Sequence, residues 1–386
     1  MSTYFSADWI FPVSSPPIKN GIVEVNSEGE IVAILQEKYA NHIDIKKLKG
    51  AIVPGFINTH CHLELSHLLG KIPERTGLVD FVKHIITGRQ ADKDEIKSAM
   101  QMANKQMYNN GIVAVGDISN QISSKEIKQI SQIFYHTFVE AMGFNPQRAE
   151  AVMDYAIGIK NEFFPLSASV VPHAPYSVSS ELFKLINEEA ESDNAFLSIH
   201  NQETVEENAF FVDKTGRFLE LYKFLGLDIA FFEPSGKSSL QTWLPKMVNQ
   251  KLLLVHNTVS NKEDIEFATQ NHHNLYWCFC PNANLYIENS LPDVNLWMEK
   301  QLKITIGTDS LASNKQLNIL AEMKTLQKHK NIGFENLLQW ATINGAEFLG
   351  LDKQFGTIEV GKTPGLNLIS LSEDLMIESD VIVKLV

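Results

Sequence analysis

Cysteine is scarce in this chain: Cys61, Cys278 and Cys280 are the three in 386 residues. So few cannot build a disulfide framework at this length, so the fold rests on its core, and a reducing, cytoplasmic setting is expected. Cys278 and Cys280 alternate along an apolar stretch without C-x-x-C spacing, which makes them small buried residues rather than metal ligands. Basic residues are also in deficit, 33 Lys and Arg against 46 Asp and Glu, for a formal charge of -13. That balance excludes a nucleic-acid backbone as partner but leaves a small nucleoside or base open as substrate. No run reaches the roughly 20 apolar residues of a membrane span. The first ten residues lack a basic segment followed by an apolar core, so neither a membrane partner nor a signal peptide is expected.

What the chain does have is alternation. Apolar segments at Ile52–Thr59, Ile112–Asp117, Phe134–Ala141, Leu166–Pro172, Ala195–His200, Lys251–His256, Leu275–Cys280 and Lys303–Asp309 read as strands. Amphipathic stretches lie between them, such as Ser179–Ser192, with Ser179 as N-cap, and Asn318–Lys330. Eight such units predict an α/β fold, a (β/α)8 TIM-type barrel over residues 54–354. A doubly wound open sheet is the second choice. The barrel is preferred because polar residues gather at the strand C-termini, where barrel enzymes keep their sites. Both chain ends read as short strands and turns: Gly21–Val25 and Ile31–Ile34 at one end, Gly356–Lys362, Leu366–Leu371 and Val381–Val386 at the other. Residues 1–53 and 355–386 are therefore expected to form one small β-sandwich.

The strand ends carry the chemistry. Val53–Ile57 leads into His60 and His62, whose i, i+2 spacing puts both imidazoles on one side of a strand. Alone such a pair is a weak signal. Three more strands end in His200, His256 and Asp309. Three neutral imidazoles and a carboxylate, His60, His62, His200 and Asp309, suit one divalent metal, zinc above all and iron next, with a position left for water. Glu203, three residues beyond His200, is placed to shuttle a proton. His256 is expected to bind the attacking water or the developing oxyanion, Asp309 to accept a proton as well as hold metal, and His173 to contact substrate. His62-Leu63-Glu64 mimics the H-x-E of the zinc-dependent nucleobase deaminases, but Cys278-Phe279-Cys280-Pro281 lacks the P-C-x-x-C that their fold needs, so that reading is rejected.

Pro54–His62, Pro172–Ser177, His200–Thr204, Cys280–Asn284 and Gly307–Asn314 together resemble the amidohydrolase superfamily. The branch is the one holding guanine deaminase, S-adenosylhomocysteine deaminase and the triazine chlorohydrolases. The resemblance spans nearly the whole chain. It implies a mononuclear centre on His60, His62, His200 and Asp309, a proton-shuttling Glu203, and contacts from His256 and His173. Binuclear members need a lysine on the fourth strand, and Ser167–Pro172 has none. Val255-His256-Asn257-Thr258 departs from the family's alanine-histidine-cysteine, and Cys280-Pro281-Asn282-Ala283-Asn284 from its cysteine-proline-x-serine-asparagine. The variants around His62–Ser66 and His256–Thr258 look most like aminodeoxyfutalosine deaminases.

The resemblance thus implies a metal-dependent deaminase of an aminated purine or purine nucleoside. The alternatives are hydrolysis of another C–N or C–Cl bond, and a metal-binding protein without turnover. Arg89 and Arg148 are candidates for a substrate carboxylate, through the guanidinium fork, and Glu64 for a substrate-facing or supporting role. His67, His84, His136, His272, His273 and His329 read as structural or exposed, and Glu206–Glu207 as a solvated helix start. A homodimer is compatible with the sequence, although no residue argues for it.

Overall fold

The computed structural model describes residues 2–36 and 44–386. Eight parallel strands fall into two four-stranded sheets, each in chain order. The first holds Phe56–Cys61, Ile112–Ser119, Phe134–Ala141 and Ser167–Pro172; the second holds Leu197–Asn201, Leu252–His256, Leu275–Phe279 and Ile304–Ile306. The two sheets approach each other at both edges. On one side His200 N donates to His173 O at 3.0 Å and Ser169 Oγ to Phe196 O at 3.0 Å. On the other, Cys61 and Asp309 form a parallel bridge, and Thr308 N and Asp309 N both donate to His60 O at 3.1 Å.

The strands are Val-, Ile- and Leu-rich and buried along most of their length, as parallel strands covered by helices must be. Helix Ser180–Asp193 starts where Ser179 Oγ accepts from Leu182 N, and helix Ile319–Lys330 where Asn318 Oδ1 accepts from Leu320 N and Ala321 N. One continuous apolar core runs through strands and helices, including Phe138, Trp277 and Trp297. A second cluster, with Phe144, Phe210, Phe218 and Tyr222, packs above the strand C-termini. No helix among the described residues is long and apolar enough to cross a membrane.

The chain ends build two further sheets. One orders Ile31–Gln36, Gly21–Val25, Thr3–Ser6 and Ile45–Lys47. The other orders Val383–Lys384, Leu366–Ile369, Ala51–Pro54, Trp9–Ile10 and Ile18–Lys19, so both ends of the chain share it. Phe5, Ile10, Val23, Ile52, Ile358 and Leu366 form their common core.

Two expectations from the sequence need correction. The single strand Ile52–Thr59 is two, Ala51–Pro54 in the terminal sheet and Phe56–Cys61 among the parallel strands, parted at Gly55. A Cβ on Gly55 would run into a Val113 methyl and stand 2.6 Å from Pro364 O, so the crossing needs glycine. Gly356–Lys362 is not a strand. Its amides serve single bonds instead, Ile358 N to Pro12 O at 3.0 Å and Gly361 N to Ile31 O at 2.9 Å, so the segment ties chain ends together without a ladder.

Candidate active site

His60 ends the buried Phe56–Cys61 strand, and His62 stands just before the short 3-10 turn Leu63–Leu68. The backbone after His62 is fixed from below: Leu63 N donates to Asp117 Oδ1 at 2.8 Å, and Asp117 Oδ2 meets Lys128 Nζ at 2.6 Å, both side chains fully buried. His200 lies in the fifth parallel strand, Leu197–Asn201. Asp309 follows the eighth at φ 56°, and His256 closes the sixth at φ 73°. Gln202, beside Glu203, has φ 45°. With Asn257 at φ 56° beside His256, left-handed backbone at four non-glycine positions around one site is strain that the surrounding structure must hold.

The ligand atoms converge. His60 Nε2 and His62 Nε2 are 3.1 Å apart, His62 Nε2 and His200 Nε2 3.3 Å. Asp309 Oδ1 lies 3.5 Å from His60 Nε2 and 3.2 Å from His62 Nε2. A tetrahedral ion with bonds of about 2.05 Å spaces its ligands about 3.3 Å apart, so the four atoms fit one metal of zinc's size. Their protonation fits too. His200 Nδ1 bonds the carbonyl of His173 at 2.7 Å, so the proton sits there and Nε2 keeps its lone pair. Burial pushes His62 down to about 3 and His200 well below the usual histidine range, which leaves both neutral. Burial would raise Asp309, but its hydrogen bond to His60 and its interactions with His62 and His256 hold it below the usual carboxylate range. Ser313 Oγ donates to its other oxygen.

Glu203 and His256 stand beside these ligands. Glu203 is buried, with Oε1 3.7 Å from His256 Nε2. Burial, and then the charge of Asp309, push Glu203 above the usual carboxylate range. His256 Nδ1 bonds Asn284 Oδ1 at 2.8 Å, which turns Nε2 toward Glu203 and Asp309. His173 is fixed by Ser177 Oγ, 2.7 Å from its Nδ1.

His62, His173, His200, Glu203, His256 and Asp309 line one cavity of about 480 Å³. Its far wall is apolar, with Leu78, Phe81, Val82, Ile85, Phe144 and Leu221. Arg89, at the end of helix Leu78–Gly88, and Arg148, in the turn Pro146–Arg148, both reach it. Neither guanidinium meets a carboxylate among the described residues.

Of the two places open to Glu64, facing the substrate or supporting the site from behind, the hydrogen bonds show the second. Its oxygens accept Asn120 N at 3.0 Å, Gln121 N at 3.2 Å and Ser123 Oγ at 3.3 Å, so it clamps the loop after the second parallel strand and stays off the cavity wall. Glu207 is not solvated: it is fully buried, accepts Gln202 N at 3.0 Å, and burial lifts it to about 7. His136 is structural, buried between Ser167 Oγ at 2.7 Å and Ser169 Oγ at 2.9 Å. The sequence reading missed Glu140 and Asn120, both on the cavity wall. Glu140 sits one residue before the end of Phe134–Ala141, the same strand-end signal that marked the histidines.

The profile of the Amidohydrolase family matches residues 51–384. The chain belongs to the amidohydrolase family. Among curated relatives, it is 24% identical over 338 residues to an adenosine deaminase of Helicobacter pylori, covering 86% of this chain and 81% of that protein. It is 26% identical over 370 residues to a 5-methylthioadenosine/S-adenosylhomocysteine deaminase of Bacillus cereus, covering 89% and 79%. Its amidohydrolase fold is shared with the crystal structure of Helicobacter pylori aminofutalosine deaminase in complex with methylthio-coformycin, at a TM-score of 0.80, 23% identity, and 96% and 93% coverage. An atrazine chlorohydrolase of Arthrobacter aurescens complexed with zinc superposes at 0.76, with 16% identity and coverage of 98% and 92%.

Proposed function

We propose that this amidohydrolase is a metal-dependent hydrolytic deaminase of an adenosine-like nucleoside. The observation that carries the reading is Glu203, a buried carboxyl group in the cavity beside the ligand atoms of His60, His62, His200 and Asp309, which converge on one point. The curated relatives named above, all deaminases of adenosine or its 5′ derivatives, support the substrate class.

His60, His62, His200 and Asp309 would hold a single divalent ion, zinc before iron. Bound there, it supplies a water of near-neutral pKa as nucleophile. Glu203 takes a proton from the attacking water and gives it to the ring nitrogen next to the amino-bearing carbon, then takes the second proton from the added oxygen and passes it to the departing amine. His256, held by Asn284, accepts a hydrogen bond from the attacking water at Nε2. His173 orients the ring. Arg89 and Arg148 would pair with an acidic 5′ substituent, and the apolar wall between them and the ligands would take its carbon skeleton. An aminodeoxyfutalosine-like substrate has this layout.

In the same reading the two four-stranded sheets close into a (β/α)8 barrel over residues 54–354. Residues 1–53 and 355–386 then make a β-sandwich beneath it.

The test is ammonia release from metal-quantified protein against adenosine, 5′-substituted adenosines with and without a carboxylate, guanine, cytosine and triazines. Ammonia from adenine nucleosides is expected. Chloride from a chlorotriazine, with no ammonia from any nucleoside, would replace the reading with dechlorination.

A further inference from the structure

Glu140 has no part in the chemistry above, yet it is built into the same cavity. Its side chain is 3% exposed. Oε2 accepts Asn120 Nδ2 at 3.0 Å, while Oε1 has no hydrogen-bond partner among the described residues. His200 Nδ1 is 3.5 Å from Oε1, but its proton already goes to the carbonyl of His173. A buried carboxyl oxygen left unpaired is costly, and folded proteins keep one chiefly where water or a ligand completes it.

Asn120 sharpens the point. Its backbone N–H is committed to Glu64 and its Nδ2 to Glu140, which leaves its side-chain carbonyl free on the cavity wall. The other carboxyls in the cavity, Glu203 and Asp309, belong to the reaction centre. This wall therefore wants two hydrogen-bond donors from a ligand, one for Oε1 of Glu140 and one for the carbonyl of Asn120. A pair of neighbouring hydroxyls supplies both. In an adenosine-like substrate whose amino group lies at the ligand cluster, the neighbouring hydroxyls are those of the ribose.

We propose that Glu140, assisted by Asn120, binds the ribose diol and makes the enzyme select ribonucleosides over deoxy analogues. The inference rests on the deaminase reading and deepens it.

The experiment compares kcat/KM for adenosine and 2′,3′-dideoxyadenosine in the metal-loaded wild type, Glu140→Ala and Glu140→Gln. A site built to bond a hydroxyl rejects the analogue that lacks it, so the wild type is expected to favour adenosine by about 100-fold or more. Glu140→Ala should bring that ratio within about tenfold by losing adenosine turnover, with metal content unchanged. Glu140→Gln, which keeps one acceptor, should fall between. A wild-type ratio near one, or a ratio that survives Glu140→Ala, overturns the inference. If Glu140→Ala does not fold, Asn120→Ala must lower the ratio instead. Wild type that releases no ammonia from any adenine nucleoside is a separate result: it removes the deaminase reading, and the diol site with it.

Discussion

The Nδ1 of His200 is bonded at 2.7 Å to the carbonyl oxygen of His173, so the backbone of one site histidine sets the tautomer of another. That bond points the His200 lone pair at His60, His62 and Asp309 before any ion arrives. Metal is then a folding ligand as well as a cofactor. An ion at 1,000 times its Kd stabilises the native state by about 4 kcal/mol. Chelation should lower Tm by several degrees and zinc should restore it. His200→Ala should show neither response. Identical Tm with and without chelator would sink the metal assignment.

Glu203→Gln keeps the shape of the side chain and removes its ability to carry a proton. Turnover should fall by about 10²- to 10⁴-fold, the usual worth of a positioned acid or base. Bound metal, read by elemental analysis, should stay at the wild-type level, since the converging ligand atoms belong to His60, His62, His200 and Asp309 and not to Glu203. A Glu203→Gln enzyme that keeps both metal and rate would show that the proton moves elsewhere.

Arg148→Ala and Arg89→Ala separate two kinds of substrate. A lost charge-assisted hydrogen bond is worth about 1.5–3 kcal/mol, or roughly 10- to 150-fold in KM. That loss is expected on an adenosine bearing a 5′ carboxylate and should be nearly absent on adenosine itself. Equal effects on both substrates would place the guanidinium elsewhere in the chemistry.

His136 gives the protein an acid-labile point away from the site. Burial between two serines pushes it down to about 3, against an ordinary 6.5. Between those values the unfolded chain binds the proton and the folded chain does not, so stability is full above pH 6.5 and falls as pH drops. At pH 5 the loss is about 2 kcal/mol. His136→Asn should flatten the Tm profile between pH 5 and 7, whatever it costs at pH 8. A profile as steep as that of the wild type would contradict this account.

The site residues that the sequence made legible share one property: His60, His200, His256 and Asp309 each interrupt or close an apolar run, so a polar side chain there stands out. Their helices were legible through caps, Ser179 and Asn318 above all. Glu140 ends a strand in the same way but was hidden because Ala141 and Met142 prolong the apolar run. What Glu64 does depends on a loop 56 residues away, and no local pattern announces such a partner. The break at Gly55 was invisible for a similar reason. Ala51–Ile57 reads as one unbroken apolar run, and only the neighbours of its two halves, Leu366–Ile369 for one and Ile112–Ser119 for the other, tell them apart.

That crossing has a consequence for how the protein is made. Ala51–Pro54 lies between Trp9–Ile10, available early in synthesis, and Leu366–Ile369, some 310 residues later. Until the ribosome has released that last partner, the edge next to the strand bearing His60 stays open, and such edges recruit other chains. The nascent protein thus carries His60 and His62 beside an unsealed seam for most of translation. Its yield in a cell would hinge on chaperones holding that seam until the far end arrives.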